Sequence, residues 1–212
     1  MKARQSSMGL PPGFGETLRV LGQGEAALMV GTIEPRKGYG QILDAFEQLW
    51  SRGRNHRLVI VGRPSWLTHD LQQRIVGNPR LNQQLFWFGN ASDEALEALY
   101  QACAGVIVAS YAEGYGLPLL EAVGHGKPVL AKDIAAFRQF ENPLLSHFPA
   151  ASNTDSIGQI IDCWVGALIE PGRVKPGAYA TGLPTWCASL QSLLRQLLPQ
   201  AAMIDARYSE AA

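Results

Sequence analysis

The chain has 212 residues, 47% of them apolar and 17% charged, with 18 Lys and Arg against 18 Asp and Glu. This is an ordinary globular composition, long enough for one domain with a full core, and its zero formal net charge argues against non-specific nucleic-acid binding. No apolar run reaches the length of a membrane span, and the basic start, Met1 to Ser7, lacks the apolar region of a signal peptide, so a cytoplasmic protein is expected. Cys103, Cys163 and Cys187 are far apart and odd in number, so they read as buried free thiols in a reducing compartment. His56, His69, His125 and His147 show no metal-ligand spacing.

Residues 1–25 are rich in glycine and proline (Gly9, Pro11, Pro12, Gly13, Gly15, Gly22, Gly24) and read as a linker or a cut edge. Residues 26–31 form an apolar run ending in glycine, a first buried strand, and Thr32 to Gly38 is a polar loop with two adjacent cations. From Tyr39, the residues Ile42, Leu43, Phe46, Leu49 and Trp50 recur at helical spacing. Residues 57–62 and 85–89 are further strands closed by glycine, separated by a weaker helix from Leu67 to Val76. Ser92 is an N-cap for a helix carrying Leu96, Leu99 and Tyr100. Residues 105–110 are the fourth strand, followed by an apolar helix that ends at Gly124-His125-Gly126. Residues 128–131 are a fifth strand, 134–140 a short helix, 144–148 a sixth strand, and Ile157 to Leu168 a helix with Asp155 near its start. Residues 171–182 read as loop, 184–198 as a last amphipathic helix, and 201–212 as a flexible tail. Trp50, Trp87, Phe88, Trp164 and Trp186 read as core.

Strands that alternate with helices over short connections indicate parallel βαβ units, and continuously apolar strands indicate helices on both faces. With right-handed crossovers the chain is an α/β domain with a doubly wound, mostly parallel sheet and C-terminal helices. Ligands of such sheets bind beyond the carboxyl ends of the strands. Glu34 to Lys37, Arg63, Asn90 and Glu113 to Pro118 all follow strand ends, which predicts one site.

The junction after the fourth strand, Glu113-Gly114-Tyr115-Gly116-Leu117-Pro118-Leu119-Leu120-Glu121, is the centre of that site. Glycines allow close backbone approach and Pro118 suits a first helical turn. The free N–H groups and dipole of that turn favour an anion, and the flanking carboxylates can accept hydrogen bonds from hydroxyls. A phosphorylated sugar or nucleotide fits both. Arg36-Lys37-Gly38, just before a helix, can grip a diphosphate; a solvated loop is the alternative. Glu121 could be an exposed helix carboxylate, but Leu117, Leu119, Leu120, Ala122 and Val123 around it favour a partnered charge. No Gly-x-Gly-x-x-Gly follows the first strand, no Walker-type loop occurs, and Ser110 is outside any Gly-x-Ser-x-Gly elbow. His125 reads as a helix end, where a cation suits the dipole.

The ordered set Val30-Gly31-Thr32-Ile33-Glu34-Pro35-Arg36-Lys37-Gly38, Leu58 to Gly62, Phe88 to Leu96 with Leu99-Tyr100, Ser110 to Glu121, and Gly126-Lys127-Pro128-Val129 resembles the C-terminal, donor-binding domain of retaining GT-B glycosyltransferases of family 4, the glycosyl transferases group 1. Thr185-Trp186 and Ser189 extend the resemblance towards bacterial polysaccharide members. It implies a Rossmann-like nucleotide-sugar-binding domain over 26–200, one half of a GT-B fold. It also implies a GDP-, UDP- or dTDP-sugar donor, no cofactor and no required metal. By position, Arg36 and Lys37 would hold the diphosphate and Glu113 the donor-sugar hydroxyls. Gly114, Tyr115, Gly116 and Leu117 would offer backbone N–H groups to sugar and phosphate. Glu121 would bind the ribose, and Phe88, Gly89, Asn90 and Ala91, with Gly62 and Arg63, would line the base. Glu113 and Lys37 would be the catalytic pair. Thr32 stands where many members carry arginine, so Arg36 would supply that charge.

The resemblance implies transfer to a glycan or lipid-linked acceptor in bacterial surface-polysaccharide synthesis, at the inner face of the membrane. Residues 1–25 are too short for the N-terminal GT-B domain. The expectation is an excised donor domain, or a partner chain that supplies the other half. A non-catalytic nucleotide-sugar-binding module completed by a partner chain is the second reading. A sugar-nucleotide epimerase is a third, but its carboxylate and histidine arrangement is not found.

Overall fold

The computed structural model describes residues 9–11 and 13–169. Among these, six short strands form: β1 (Ala26–Val30), β2 (Arg57–Val61), β3 (Leu85–Phe88), β4 (Gly105–Val108), β5 (Val129–Lys132) and β6 (Leu145–Phe148). They make one parallel sheet in the order β3-β2-β1-β4-β5-β6. The helices are α1 (Phe14–Leu21), α2 (Tyr39–Ser51), α3 (His69–Val76), α4 (Asp93–Ala102), α5 (Leu117–Gly124), α6 (Ala135–Arg138) and α7 (Thr154–Ile169). The expected doubly wound α/β class is therefore what the chain adopts.

Strands β1 to β5 are largely buried because both faces are covered, whereas Ser146 and His147 of the edge strand β6 are exposed. On one face Met29, Ile60, Ile107, Leu130 and Phe148 pack with Phe46 and Leu49 of α2 and Ile161 of α7. Each such large side chain contributes about 1.5–3 kcal/mol by leaving water. The helical period that places Ile42, Leu43, Phe46, Leu49 and Trp50 on one stripe is what lets α2 lie along the sheet. Ser92 caps α4 as its sequence predicts, its Oγ accepting the Ala95 N–H at 3.1 Å. The strand order reverses at β1, with β2 and β3 on one side and β4 to β6 on the other. A crevice therefore opens beyond the carboxyl ends of β1 and β4.

Four expectations change. The stretch 1–25, read as a linker, contains α1, because Phe14, Leu18 and Leu21 share helical spacing and the Phe14 and Leu21 side chains are buried. Glycine content masked that stripe. The helix read from Leu67 begins at His69, and Leu67 has a φ of 55° and lies in solvent. Cys103 is buried as expected, but Cys163 is exposed on α7. Trp87 and Trp164 are only partly buried, although both pack against the core. The loop over 171–182, the helix over 184–198 with Thr185, Trp186 and Ser189, Cys187 and the tail from 201 lie outside the described residues. Among the described residues, no helix is long and apolar enough to cross a membrane.

Candidate functional site

The crevice is built by tight packing of the β1–α2 loop on the end of β4. Pro35–Lys37 is a single 3₁₀ turn, and Gly38 follows it with a φ of 73°. A Cβ on Gly38 would lie 2.3 Å from the Ala109 carbonyl oxygen, so only glycine lets the start of α2 press this close to β4. The Tyr111 N–H donates to the Arg36 carbonyl at 2.8 Å and fastens the two loops together.

That packing brings Arg36 and Lys37 to Glu113, distant in sequence. Lys37 Nζ lies 2.5 Å from Glu113 Oε1, and Ser110 Oγ donates to the same oxygen at 2.7 Å. Arg36 Nη1 lies 3.2 Å from Glu113 Oε2, also donates to the Ala112 carbonyl at 3.2 Å, and the Arg36 Nε reaches Glu34 at 2.9 Å. The Glu113 and Lys37 side chains are 7% and 12% exposed, whereas Arg36 is 47% exposed. Burial alone would raise the Glu113 pKa. The hydrogen bonds from Lys37 and Ser110, with the charges of Lys37 and Arg36, outweigh that and hold it below the ordinary carboxylate value.

Beside this cluster α5 begins. Gly116 is its N-cap in the left-handed conformation, and Pro118 sits in its first turn. Among the described residues, no protein acceptor takes the N–H groups of Gly114, Tyr115, Gly116 or Leu117. They and the helix dipole give the start of α5 free donors and a partial positive charge, which suit an anion. A small cleft lined by Val30, Lys37, Tyr39, Ser110 and Pro118 lies between the cationic turn and this terminus. The arrangement offers charge and N–H donors to an anion, and a carboxylate to hydroxyls, within one crevice.

The other predicted residues are placed less uniformly. Arg63 and Asn90 do meet, Arg63 Nη2 donating to Asn90 Oδ1 at 2.5 Å, but in solvent. Gly62 serves packing: a Cβ there would fall 1.9 Å from the Gly31 carbonyl oxygen. Phe88 lies edge-on to Phe14 of α1, with ring centroids 5.4 Å apart, and Gly89 follows it beside the Trp87 ring. Tyr115 and Leu117 are exposed, Tyr115 meeting Phe140 edge-on. Glu121 departs from expectation. The stripe formed by Leu119, Ala122 and Val123 faces the protein, so the Glu121 carboxylate is turned to solvent and has no ion pair among the described residues. Below it the Tyr100 hydroxyl is buried without a hydrogen bond, and burial, with the charges of Glu121 and Glu97, pushes its pKa up. His125 is the C-cap of α5, stacked on Tyr100 at 4.0 Å between centroids. Among the described residues no group of His, Cys, Asp and Glu could hold a metal ion.

Sequence reasoning missed Ser110 as a partner of Glu113, and missed Gln41, Tyr111 and Lys132 entirely. Ser110 was discoverable by asking what orients a carboxylate three positions further on. Lys132 was visible only as a charge closing an apolar strand.

Residues 19–173 match the family model of glycosyl transferases group 1. The serotype-specific mannosyltransferase WbdA of Escherichia coli is 36% identical over 93% of the chain, which covers 24% of that protein. The O-antigen chain mannosyltransferase B of Escherichia coli is 32% identical over 52% of the chain and 29% of its own length. The chain thus spans about a quarter of the length of these relatives. Among solved structures, Anabaena HepE in complex with UDP and glucose superposes with a TM-score of 0.56 at 23% identity, over 74% of this chain and 43% of that one. WaaG, a glycosyltransferase involved in lipopolysaccharide biosynthesis, does so with a TM-score of 0.55 at 19% identity, over 75% and 44%. At these identities the superpositions establish the fold.

Proposed function

The chain belongs to the glycosyl transferases group 1, and from that premise we propose that it is the donor-binding half of a retaining glycosyltransferase. The full enzyme would move a sugar from a nucleotide-diphospho-sugar to a glycan or lipid-linked acceptor in bacterial surface-polysaccharide assembly. The two mannosyltransferase relatives support mannose as that sugar. The observation that carries the reading is the cluster of Lys37, Arg36, Ser110 and Glu113 set against the open N-terminus of α5.

Lys37, Arg36 and the α5 amides would hold the diphosphate and stabilise its charge as it leaves. Glu113, released from its cations by the arriving phosphates, would accept hydrogen bonds from sugar hydroxyls. Glu121, already open to solvent, would take the ribose hydroxyls. The bond from the anomeric carbon to the diphosphate breaks, the acceptor hydroxyl oxygen bonds to the same face of that carbon, and the hydroxyl proton passes to the departing diphosphate oxygen. No covalent nucleophile is assigned. Neither metal nor cofactor is required, so a chelator should leave nucleotide affinity unchanged. Acceptor binding would fall to the other half of the enzyme, because transfer needs both reactants held together with water excluded.

Calorimetry with UDP, GDP and dTDP tests the reading. At least one should bind, Lys37→Ala should abolish most of that affinity, and Glu121→Ala should cost about 1–3 kcal/mol for a lost charged hydrogen bond. Absence of binding by all three nucleotides would overturn the donor site; unchanged affinity in Glu121→Ala would overturn the ribose assignment. Sugar transfer by the isolated chain at the rate of a two-domain enzyme would overturn the division of labour.

A further inference from the structure

Behind the Glu113 cluster lies a lysine that no proposed step uses. Lys132 ends β5 on the face shared with Leu130 and Phe148, and it is 0% exposed. Its Nζ donates to Gln41 Oε1 at 2.7 Å and sits 3.3 Å from the centroid of the Tyr111 ring. Gln41 Oε1 also accepts the Tyr111 hydroxyl at 3.1 Å, and the Gln41 amide nitrogen donates to the Ser152 carbonyl at 3.2 Å. Tyr111 in turn is bonded through its N–H to the Arg36 carbonyl, and it directly follows Ser110 in the turn that leads to Glu113. One ammonium therefore joins β5, the first turn of α2, the β4–α5 loop, the β6–α7 loop and the cationic turn.

The partners of this ammonium are neutral. The acidic groups on the elements that carry its partners are committed elsewhere: Asp133 to Arg138 at 2.6 and 2.8 Å, Glu113 to Lys37, Arg36 and Ser110, Asp44 of α2 to Arg74. His147 of β6 is exposed, and Asp155 of α7 is paired with Arg52. A buried charge without a counter-ion is costly to keep. Packing alone is a poor reason for it, since methionine would fill similar space without that cost. The cation–π contact with Tyr111 and the shared Gln41 oxygen give the charge a use: they hold a half-exposed aromatic residue, and with it the backbone on both sides of the crevice.

We propose that Lys132 is a positioning residue, whose buried ammonium clamps Tyr111 through Gln41 and so fixes the turn that presents Glu113 and Arg36 to the nucleotide-sugar donor. Lys132 touches no reacting atom. It keeps the frame fixed while the side chains of Lys37, Arg36 and Glu113 exchange partners on donor arrival. This rests on the donor-site reading for its functional consequence, but not for its structural one. Burial pulls the Lys132 pKa down from 10.5 to about 8, so the clamp loses its charge as pH rises through that value.

The test uses the whole chain and two readouts. By NMR hydrogen exchange, Lys132→Met should raise the exchange rate of the Tyr111 amide about tenfold, and Lys132→Arg should restore protection. Tyr111→Leu, at an exposed position, should leave the fold intact and raise the exchange of the residue 111 amide, which donates to the Arg36 carbonyl, in the same way. By calorimetry with whichever of UDP, GDP or dTDP binds, wild-type affinity should fall about tenfold between about pH 7 and 9, a step absent in Lys132→Met. Unchanged Tyr111 exchange in Lys132→Met, or the same pH step in both proteins, would overturn the proposal. If the wild type binds none of the nucleotides, the donor-site reading fails, and the exchange data alone decide the clamp.

Discussion

Two lysines are buried among the described residues, and they do opposite things. Lys127 is 4% exposed and donates to the carbonyls of Gln101 and Cys103 at 3.0 and 2.9 Å. Those carbonyls belong to the C-terminal end of α4, where a cation satisfies orphan acceptors and suits the dipole. Lys132 is 0% exposed and meets an amide oxygen and an aromatic ring beside the candidate site. Burial lowers the pKa of both. The difference is in what the charge holds in place: the end of a helix in one case, the loops around a ligand crevice in the other. A buried charge that completes backbone hydrogen bonding belongs to the fold. One that does not, and that lies against a site, is a sign of function maintained at the expense of stability.

Removing each charge should separate the two with opposite signs. Lys127→Met leaves two carbonyls at the end of α4 without their donor. It is expected to destabilise the chain by about 3 kcal/mol, partly offset by relief of burial. Denaturant unfolding reads this directly as a lower midpoint. A neutral or stabilising result would erase the distinction.

Lys132→Met should do the reverse. The pKa in the unfolded chain is the ordinary 10.5 and in the folded chain about 8. Between these values the unfolded state binds more protons, so stability rises with pH there, and the full penalty applies below about 8. A shift of this size corresponds to roughly 3 kcal/mol, and the lost hydrogen bond to Gln41 leaves a net gain of about 2 kcal/mol in the variant at neutral pH. The gain should shrink as pH rises from about 8 to 10.5. A more stable protein with a looser Tyr111 amide would be the signature of a positioning charge. A less stable one would make Lys132 another Lys127.

Lys132 gives no signal in the sequence beyond a charge closing an apolar strand, and Lys127 enters only within the Gly126-Lys127-Pro128-Val129 segment of the family resemblance; the reason is physical. Strands are legible where runs such as Leu58-Val59-Ile60-Val61 are apolar without interruption, and α2 because its stripe keeps the helical period. The junction at Glu113 to Pro118 was legible because glycine, proline and carboxylate sit together between a strand and a helix. The partners of Lys132 are not local: Gln41 is 91 positions away in the chain, and only the sheet order brings α2 over β5. The orientation of Glu121 is not legible in the sequence for a related reason. An apolar helix gives the composition of its neighbours but not which arc faces the protein until the packing of Leu119, Ala122 and Val123 is known. The helix α1 was hidden because Gly13, Gly15 and Gly22 lower local propensity, whereas the contact of Phe14 with Phe88 is tertiary.

A carboxylate supplies the acid-side counterpart to the lysines. Glu113 has its folded pKa depressed below 4.5 by Lys37, Ser110 and Arg36 against the opposing effect of burial. Its contribution is therefore present above about 4.5 and lost as pH falls through the lower folded value. Glu113→Gln keeps the shape and removes the charge, so the variant should lose about 1–2 kcal/mol at neutral pH and show a flatter acid limb in stability against pH. An identical acid limb in the variant would show that the pair with Lys37 carries no stability.

Arg63 extends the comparison to a cation that is not buried. It reaches Asn90 at the ends of β2 and β3, and both are in solvent. Exposed pairs of this kind are worth little because water screens them and two long side chains must be held in place. Arg63→Ala should change stability by less than about 0.5 kcal/mol. Any larger effect should therefore appear in nucleotide affinity rather than in folding. If Arg63 lines the base, calorimetry should show a loss confined to binding, with no dependence on pH between about 7 and 9, where the Lys132 clamp titrates. A binding loss that followed the same pH step would tie Arg63 to the clamp instead, and would mean that the β2–β3 side of the crevice is held by the same ammonium as the β1–β4 side.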